Sequence, residues 1–383
     1  MENFTNKISR LELENFTCFA KAEMDFSSGI NVFIGENGTG KTHILKVMYA
    51  MIYDNVNDNF FPPFNTHLTN SSSYHVNGVL VNYFNKIISH LLNYFKPQDN
   101  LIIRLLRQPY QNTIKWKAKL LFSDNLSVNL EVKDGSDDIK SLLPDGVNYN
   151  CDMSDDFLFY ENCLFIPSYE MLTLYRGFIS SYEKRENSFD GTHYNLAKAL
   201  DLLPLKKQAL NGSEILLEEF NQAVGIEVYK KDGQFYLKFK DGLEVEAPLA
   251  AEGLKKLAQM IYLIQNGSLN KDTILFWDEP ETNLNPKYIK IVAKFLQVLA
   301  KNGVQIFVAT HDYLLTYLLS LSAEYPKPDT PPMRFFSLWK GENGTEIEHA
   351  DTIHGIQNNA ILDEFADYQE LMLNLQIEKL QNA

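Results

Sequence analysis

Residues 34–43 read IGENGTGKTH, directly after the apolar run Ile30–Ile34. Gly35, Gly40, Lys41 and Thr42 meet the spacing G-x-x-x-x-G-K-[ST] of a loop that wraps phosphate groups. Gly35, Gly38 and Gly40 allow backbone conformations that a Cβ blocks, so successive N–H groups around Glu36, Asn37 and Thr39 can turn inward on an anion. Lys41 supplies a mobile charge for the β- and γ-phosphates. The Thr42 hydroxyl is a hard oxygen suited to Mg²⁺. A helix opening at His43 turns its positive end toward the same phosphates.

A nucleotide triphosphate held this way needs an acid for its metal and a base for water. TILFWDEPETNLNP, residues 273–286, is an apolar strand ending in two acids. Asp278 is expected to reach Mg²⁺, and Glu279 to orient or deprotonate the attacking water. The strand of QIFVATHDYLL ends at His311. A histidine just past a parallel strand lies on the edge where open α/β sheets bind ligands, so His311 is expected at the γ-phosphate.

The elements that must position these groups follow from hydrophobic periodicity. Ile8–Phe16 and Phe19–Phe26 alternate before the buried strand Ile30–Ile34. Val79–Tyr94 is apolar at helical spacing. Thr113–Phe122 and Asn125–Val132 pattern as a hairpin, as do Ile226–Tyr229 and Phe235–Phe239 across Asp232-Gly233. Cys163–Ile166, Ile274–Trp277 and Gln305–Ala309 are short apolar strands, and helical patterns separate the last two. This order predicts an α/β fold with a mostly parallel core sheet. Ala360–Gln381 patterns as a helix.

Composition sets limits. The 383 residues are 45% hydrophobic, enough for a large composite core, and no apolar run reaches membrane-spanning length. The N-terminus lacks a signal core. Three cysteines without metal-ligand spacing suit reduced thiols, and the cytoplasm is the expected location. A formal charge of −14 argues against a surface that is basic all over, so any nucleic-acid contact must be local or supplied by a partner.

ISRLELENFTCF…INVFIGENGTGKT, with FWDEPETNLNP and VATHD, resembles the ABC-type ATPase heads of the SMC, RecF and OLD group. The DEPETNLNP form is most similar to OLD-like ATPases of bacterial defence. The resemblance implies a P-loop ABC-type head with an N-terminal antiparallel β lobe and a helical insertion, using ATP and Mg²⁺. It divides one composite head into a β lobe and phosphate loop (1–54), an inserted loop, helix and hairpin region (55–162), and a strand, helical lobe and hairpin (163–247). The signature, Walker B, D-loop and H-loop half follows (248–350), and then a C-terminal helix (351–383).

Such heads sandwich ATP between two subunits, so a homodimer or higher homo-oligomer is implied. LAAEGLKKLAQM, residues 249–260, corresponds to the signature that completes the partner's site, through Ala251, Glu252 and Gly253. Ala251 stands where the family usually has serine. Lys255 and Lys256 are either compensating charge or the solvated face of a helix. Asn283 and Asn285 occupy the D-loop position, and Ser168 and Glu170 stand where a Q-loop glutamine is sought. The chain lacks sustained heptads over 55–247 and an appended nuclease pattern, so an ATPase acting on a separate effector, a nuclease or toxin as in PARIS, Septu and retron systems, is implied. A RecF-like repair ATPase and a nucleotide-gated scaffold are the alternatives.

Arg104, Arg107, Lys115, Lys117 and Lys119 lie among Tyr110 and Trp116 in residues 101–119. This pattern fits either a local DNA surface or the solvated face of a hairpin.

Overall fold

The computed structural model describes residues 7–53, 79–97, 105, 115–124, 126–134, 147–153, 162–206 and 213–381. Strands β1 (Ile8–Phe16) and β2 (Phe19–Asp25) pair, β3 (Ile30–Gly35) runs into the phosphate loop, and α1 (Lys41–Ile52) leaves it. Helix α2 (Val79–Phe95) precedes β4 (Lys115–Phe122), β5 (Ser127–Asp134) and β6 (Val147–Met153). Strand β7 (Cys163–Ile166) is followed by α3 (Phe178–Glu183), α4 (Gly191–Asp201) and α5 (Ser213–Val224). Strands β8 (Ile226–Lys231), β9 (Gln234–Phe239) and β10 (Glu244–Glu246) form a small antiparallel sheet. Next come α6 (Glu252–Gln265), β11 (Ile274–Asp278), α7 (Pro286–Lys301), β12 (Gln305–Ala309) and α8 (Tyr313–Glu324). Strands β13 (Met333–Gly341) and β14 (Gly344–Ala350) and helix α9 (Ala360–Gln381) complete the order. Among the described residues, no helix is long and apolar enough to cross a membrane.

The central sheet runs β14-β13-β3-β12-β11-β7, with all neighbours parallel except the β13–β14 edge pair. Its middle strands are apolar on both faces because both faces are covered. Alternation then sorts the side chains into two cores. Ile30, Val32, Leu275, Trp277, Ile306 and Val308 face the core shared with α4, α6 and α7. Phe33, Phe165, Phe276, Phe307 and Phe336 face the one shared with α1, α2 and the antiparallel lobe. On that second face the rings are packed side by side, with Phe276–Phe307 at 5.1 Å and Phe33–Phe336 at 5.0 Å. The sheet is thus a wall between two cores, and β13 and β14, absent from the sequence reading, extend it.

The antiparallel lobe is larger than the N-terminal pair predicts. Strands β4, β5 and β6 join β1 to give a five-stranded sheet in the order β2-β1-β4-β5-β6. The hairpin assigned to an inserted region therefore builds the lobe itself. Its pairing also decides the basic patch. Trp116 is fully buried, 5.2 Å from Phe16, and so is not a stacking surface. On the opposite face Lys115 lies 3.7 Å from Glu131, Lys117 lies 3.8 Å from Glu14 and Lys119 lies 3.9 Å from Glu12. Cross-strand pairing thus neutralises the lysines that sequence order had gathered into a cationic run. Arg104, Arg107 and Tyr110 lie outside the described residues.

One buried amide bolts the lobe to the central sheet. Gln305, at the start of β12, accepts the Ile8 N–H at 2.8 Å and donates to the Ile8 carbonyl at 2.8 Å and the Ser27 carbonyl at 2.9 Å. No apolar side chain can serve these backbone groups. Gln305→Leu should leave them unsatisfied and destabilise the chain by about 2–4 kcal/mol, read as a lower urea midpoint. An unchanged midpoint would mean that water replaces the amide without loss.

Candidate active site

Strand β3 delivers the phosphate loop and α1 receives it. Gly38 (φ 78°) and Gly40 (φ 93°) take left-handed conformations. A Cβ on Gly40 would fall 2.4 Å from Cys18 Sγ and 2.7 Å from the Phe19 ring, so the β1–β2 turn closes on the loop as tightly as glycine permits. Lys41 Nζ folds back over the loop and donates to the carbonyls of Gly35 (2.7 Å) and Glu36 (2.8 Å). Burial lowers its pKa, with Glu279 and Asp278 pulling the other way. Thr39 fixes the loop by donating its hydroxyl to the Glu36 carbonyl at 2.8 Å. The His43 ring is turned away from solvent against Phe95 at 5.2 Å, and burial lowers its pKa to about 4. The ring is therefore neutral at physiological pH, and what His43 offers a phosphate is its first-turn backbone N–H.

Strand β11 sits two places from β3 in the sheet, which carries Asp278 to the loop. The Thr42 hydroxyl lies 3.0 and 3.1 Å from the two Asp278 carboxylate oxygens. Burial raises the Asp278 carboxyl to about 6, against the Thr42 hydrogen bond. A buried carboxylate converging with a hydroxyl is a hard-oxygen donor set that fits Mg²⁺ completed by water and phosphate. Bound there, Mg²⁺ would neutralise phosphate charge. The donors are Thr42 and Asp278.

Glu279 follows in a conformation unusual for a side-chain-bearing residue, φ 48°. Two contacts hold it: its N–H donates to the Ala309 carbonyl at 2.8 Å, and its carbonyl accepts Lys256 Nζ at 3.0 Å. Its carboxylate accepts the Thr282 hydroxyl at 3.1 Å and stands 3.6 Å from His311 Nδ1. His311 is half exposed at the end of β12. The site also contains a residue that sequence reasoning passed over, Glu281, which is buried and accepts the His311 backbone N–H at 3.1 Å. Its sequence signal was a third acid in DEPE, and its burial had no signal at all.

The signature segment lies against the same strand end, within one chain. Gly253 needs its missing Cβ for its own D-loop, because a Cβ would fall 3.0 Å from the Asn283 carbonyl and 2.8 Å from Leu284 Cδ2. Asn283 is left-handed (φ 64°), while Asn285 caps α7, its side chain accepting the Lys287 N–H at 3.0 Å. Asn285 therefore serves the helix, a local role that accounts for its type. Ala251 is the N-cap residue of α6 without a side-chain cap, and Glu252 pairs with Lys255 at 2.6 Å. The solvated-face alternative for Lys255 and Lys256 is wrong, since both are buried. Lys255 also meets Glu170 at 3.1 Å and the Thr173 hydroxyl at 2.9 Å. Glu170 and Thr173 are thus committed to α6, while Ser168 is half-buried and Tyr169 exposed.

A phosphate loop, a hydroxyl–carboxylate pair, a neighbouring glutamate and a histidine thus converge at one edge of a parallel sheet. Residues 7–142 match the family described as "AAA ATPase domain", and residues 154–316 match the one described as "AAA domain, putative AbiEii toxin, Type IV TA system". The chain is 43% identical over 44 residues to the DNA replication and repair protein RecF of Streptococcus suis, which covers 12% of either chain. It is 43% identical over 47 residues to the DNA double-strand break repair Rad50 ATPase of Thermococcus kodakarensis, 12% of this chain and 5% of that one. The similarity therefore spans a small part of these relatives' length. A crystal structure of the SmcHead bound to the C-winged helix domain of ScpA aligns over 90% of this chain and 97% of that one, at 13% identity and a TM-score of 0.51, a likeness of fold. The two family matches are to ATPase domains, and the structural likeness is to the fold of an SMC head.

Two outcomes follow from the acids at this strand end. Without ligand, the native state retains a proton on Asp278 that the unfolded chain has released, from about pH 4 upward. Stability from this group is present below that pH and is lost as pH rises through about 6. Asp278→Asn should therefore raise the urea midpoint at pH 8, worth about 3 kcal/mol, and change it little at pH 4. Equal differences at both pH values would remove the buried-charge account. At Glu279, Gly should be more stable than Ala by about 1 kcal/mol, because only Gly adopts φ 48° without strain. Thermal melts of the two variants compare them directly, and an Ala variant as stable as Gly would show that the turn is unstrained.

Proposed function

We propose that this chain is a cytoplasmic, Mg²⁺-dependent ATPase that closes as a homodimer around ATP and thereby switches a separate effector, a nuclease or toxin, in defence against phage. The observation that carries the ATPase reading is the convergence of Thr42, Asp278, Glu279 and His311 at one sheet edge, next to Lys41. Lys41 moves from its loop carbonyls to the β- and γ-phosphates, and Thr42 and Asp278 hold the metal. Glu279 accepts a proton from the attacking water, and His311 contacts the γ-phosphate.

The dimer reading is supported by the resemblance of 249–260 to a signature segment and by the uncapped start of α6 at Ala251. The type IV TA description of the matching family favours effector control. The RecF matches favour the second reading equally, a repair ATPase that loads on DNA ends or gaps. The missing hydroxyl at Ala251 motivates a third, a nucleotide-gated scaffold with little turnover.

Lys41→Ala should weaken ATP binding at least about tenfold by calorimetry, since a charge-assisted contact of about 1.5–3 kcal/mol is lost. Unchanged affinity would remove the phosphate-loop assignment. Glu279→Gln should bind ATP normally, turn it over slowly and accumulate as a dimer measurable by light scattering. A mass that stays monomeric with ATP would overturn the dimer. Wild-type dimerisation without turnover would select the scaffold, and salt-sensitive binding to gapped DNA would select the repair reading.

A further inference from the structure

The ring of His311 stands between two carboxylates. Its Nδ1 is 3.6 Å from Glu279 Oε1 and 3.6 Å from Glu281 Oε1. The two acids are not alike. The Glu279 side chain is 32% exposed, and that of Glu281 is 5% exposed. Glu281 is also anchored: Oε1 accepts the His311 backbone N–H at 3.1 Å, and burial, which raises its carboxyl, is opposed by that bond and by the nearby Thr310. Its second oxygen, Oε2, is buried without a hydrogen-bond partner. Lys256 is a buried cation of this cluster beside Lys41, bonded to the Glu279 carbonyl, and Glu281 is foremost of the acids acting on it.

We infer that Glu281 is the positioning residue of the site: it holds His311 by backbone and ring together, directs the Nδ1 proton away from Glu279, and leaves Nε2 at the exposed rim. Both separations of 3.6 Å exceed hydrogen-bonding distance, and contacts of this kind tighten when substrate closes the site. Two acids compete for one ring nitrogen. The fixed, dry carboxylate makes the stronger partner, since attraction to it is less screened by water. Were Glu281 uncharged, His311 would bind Glu279 instead. That would occupy the oxygen needed to take a proton from water and draw Nε2 away from the phosphate. The same logic governs carboxylates that fix a histidine's tautomer from behind. Glu281 touches no reacting atom and acts only through His311.

The inference rests on the hydrolytic reading for its consequence, but its geometry is testable without turnover. In ligand-free protein labelled with ¹⁵N-histidine, the His311 signals, assigned by their loss in His311→Ala, should show the neutral ring carrying its proton on Nδ1. Glu281→Gln should leave the proton on Nδ1, now facing Glu279 as the one remaining carboxylate, and move the Nδ1 resonance accordingly, and a wild-type ring protonated on Nε2 would overturn the inference whatever the variants do. In turnover, Glu281→Gln should lower kcat about 10–100-fold with ATP affinity held within about twofold. In a His311→Ala background the same substitution should cost less than about twofold, because the residue through which it acts is gone. An equal cost in both backgrounds would make Glu281 merely structural and overturn the inference. Absence of ATP turnover in the wild type would instead count against the ATPase reading, while the ring-nitrogen signals would still decide the position of Glu281.

Discussion

The bond between the Thr42 hydroxyl and the Asp278 carboxylate joins residues 236 positions apart, and the rest of the molecule is arranged around making it possible. It requires that β3 and β11 run parallel, end at the same level and be separated by one strand. Strand β12 fills that gap, pairing Ile306–Ala309 with Ile30–Phe33 on one side and Gln305–Ala309 with Ile274–Asp278 on the other. Because all three strands point the same way, the phosphate loop, the acid pair and His311 emerge together at their C-terminal ends. The ring packing of Phe276 on Phe307 and the buried amide of Gln305 fix that level.

The same edge concentrates unfavourable terms that the surrounding packing must offset. A buried carboxylate at Asp278, a left-handed Glu279 and a second buried acid at Glu281 lie within four consecutive residues. Each costs on the order of 1–3 kcal/mol in isolation. The helix that carries the signature segment supplies part of the compensation, through Lys256 on the Glu279 carbonyl, while Lys255 engages Glu170. Since α6 grips both the strand end and the segment after β7, a displacement of this helix would be felt at Glu279.

Charge shows most clearly how pairing changes meaning. Along the chain, Lys115, Lys117 and Lys119 form a run of like charge. Across the sheet, each faces a glutamate, two of them on β1, more than 100 residues away in sequence. Lys255 and Lys256 carry the opposite lesson. As neighbours on a helix they looked suited to water, yet both are buried because acids from three separate segments surround them.

The sequence by itself determined the phosphate loop, the Asp278–Glu279 pair and the parallel strands, because these depend on local matters: glycine spacing, apolar runs of strand length, and acids placed at a strand's end. It also carried the bounds of β7 and α9 within one residue, since both are bracketed by clear changes in polarity. Tertiary structure decided what depends on distant partners. It joined β4, β5 and β6 to β1, buried Trp116, and gave Gly253 its reason in the Asn283 carbonyl of its own chain. It also separated Glu281 from Glu279, two identical residues two positions apart, one dry behind His311 and one at the rim. A side chain's type travels with the sequence, but its solvation and its partners are set only when the strands close around it.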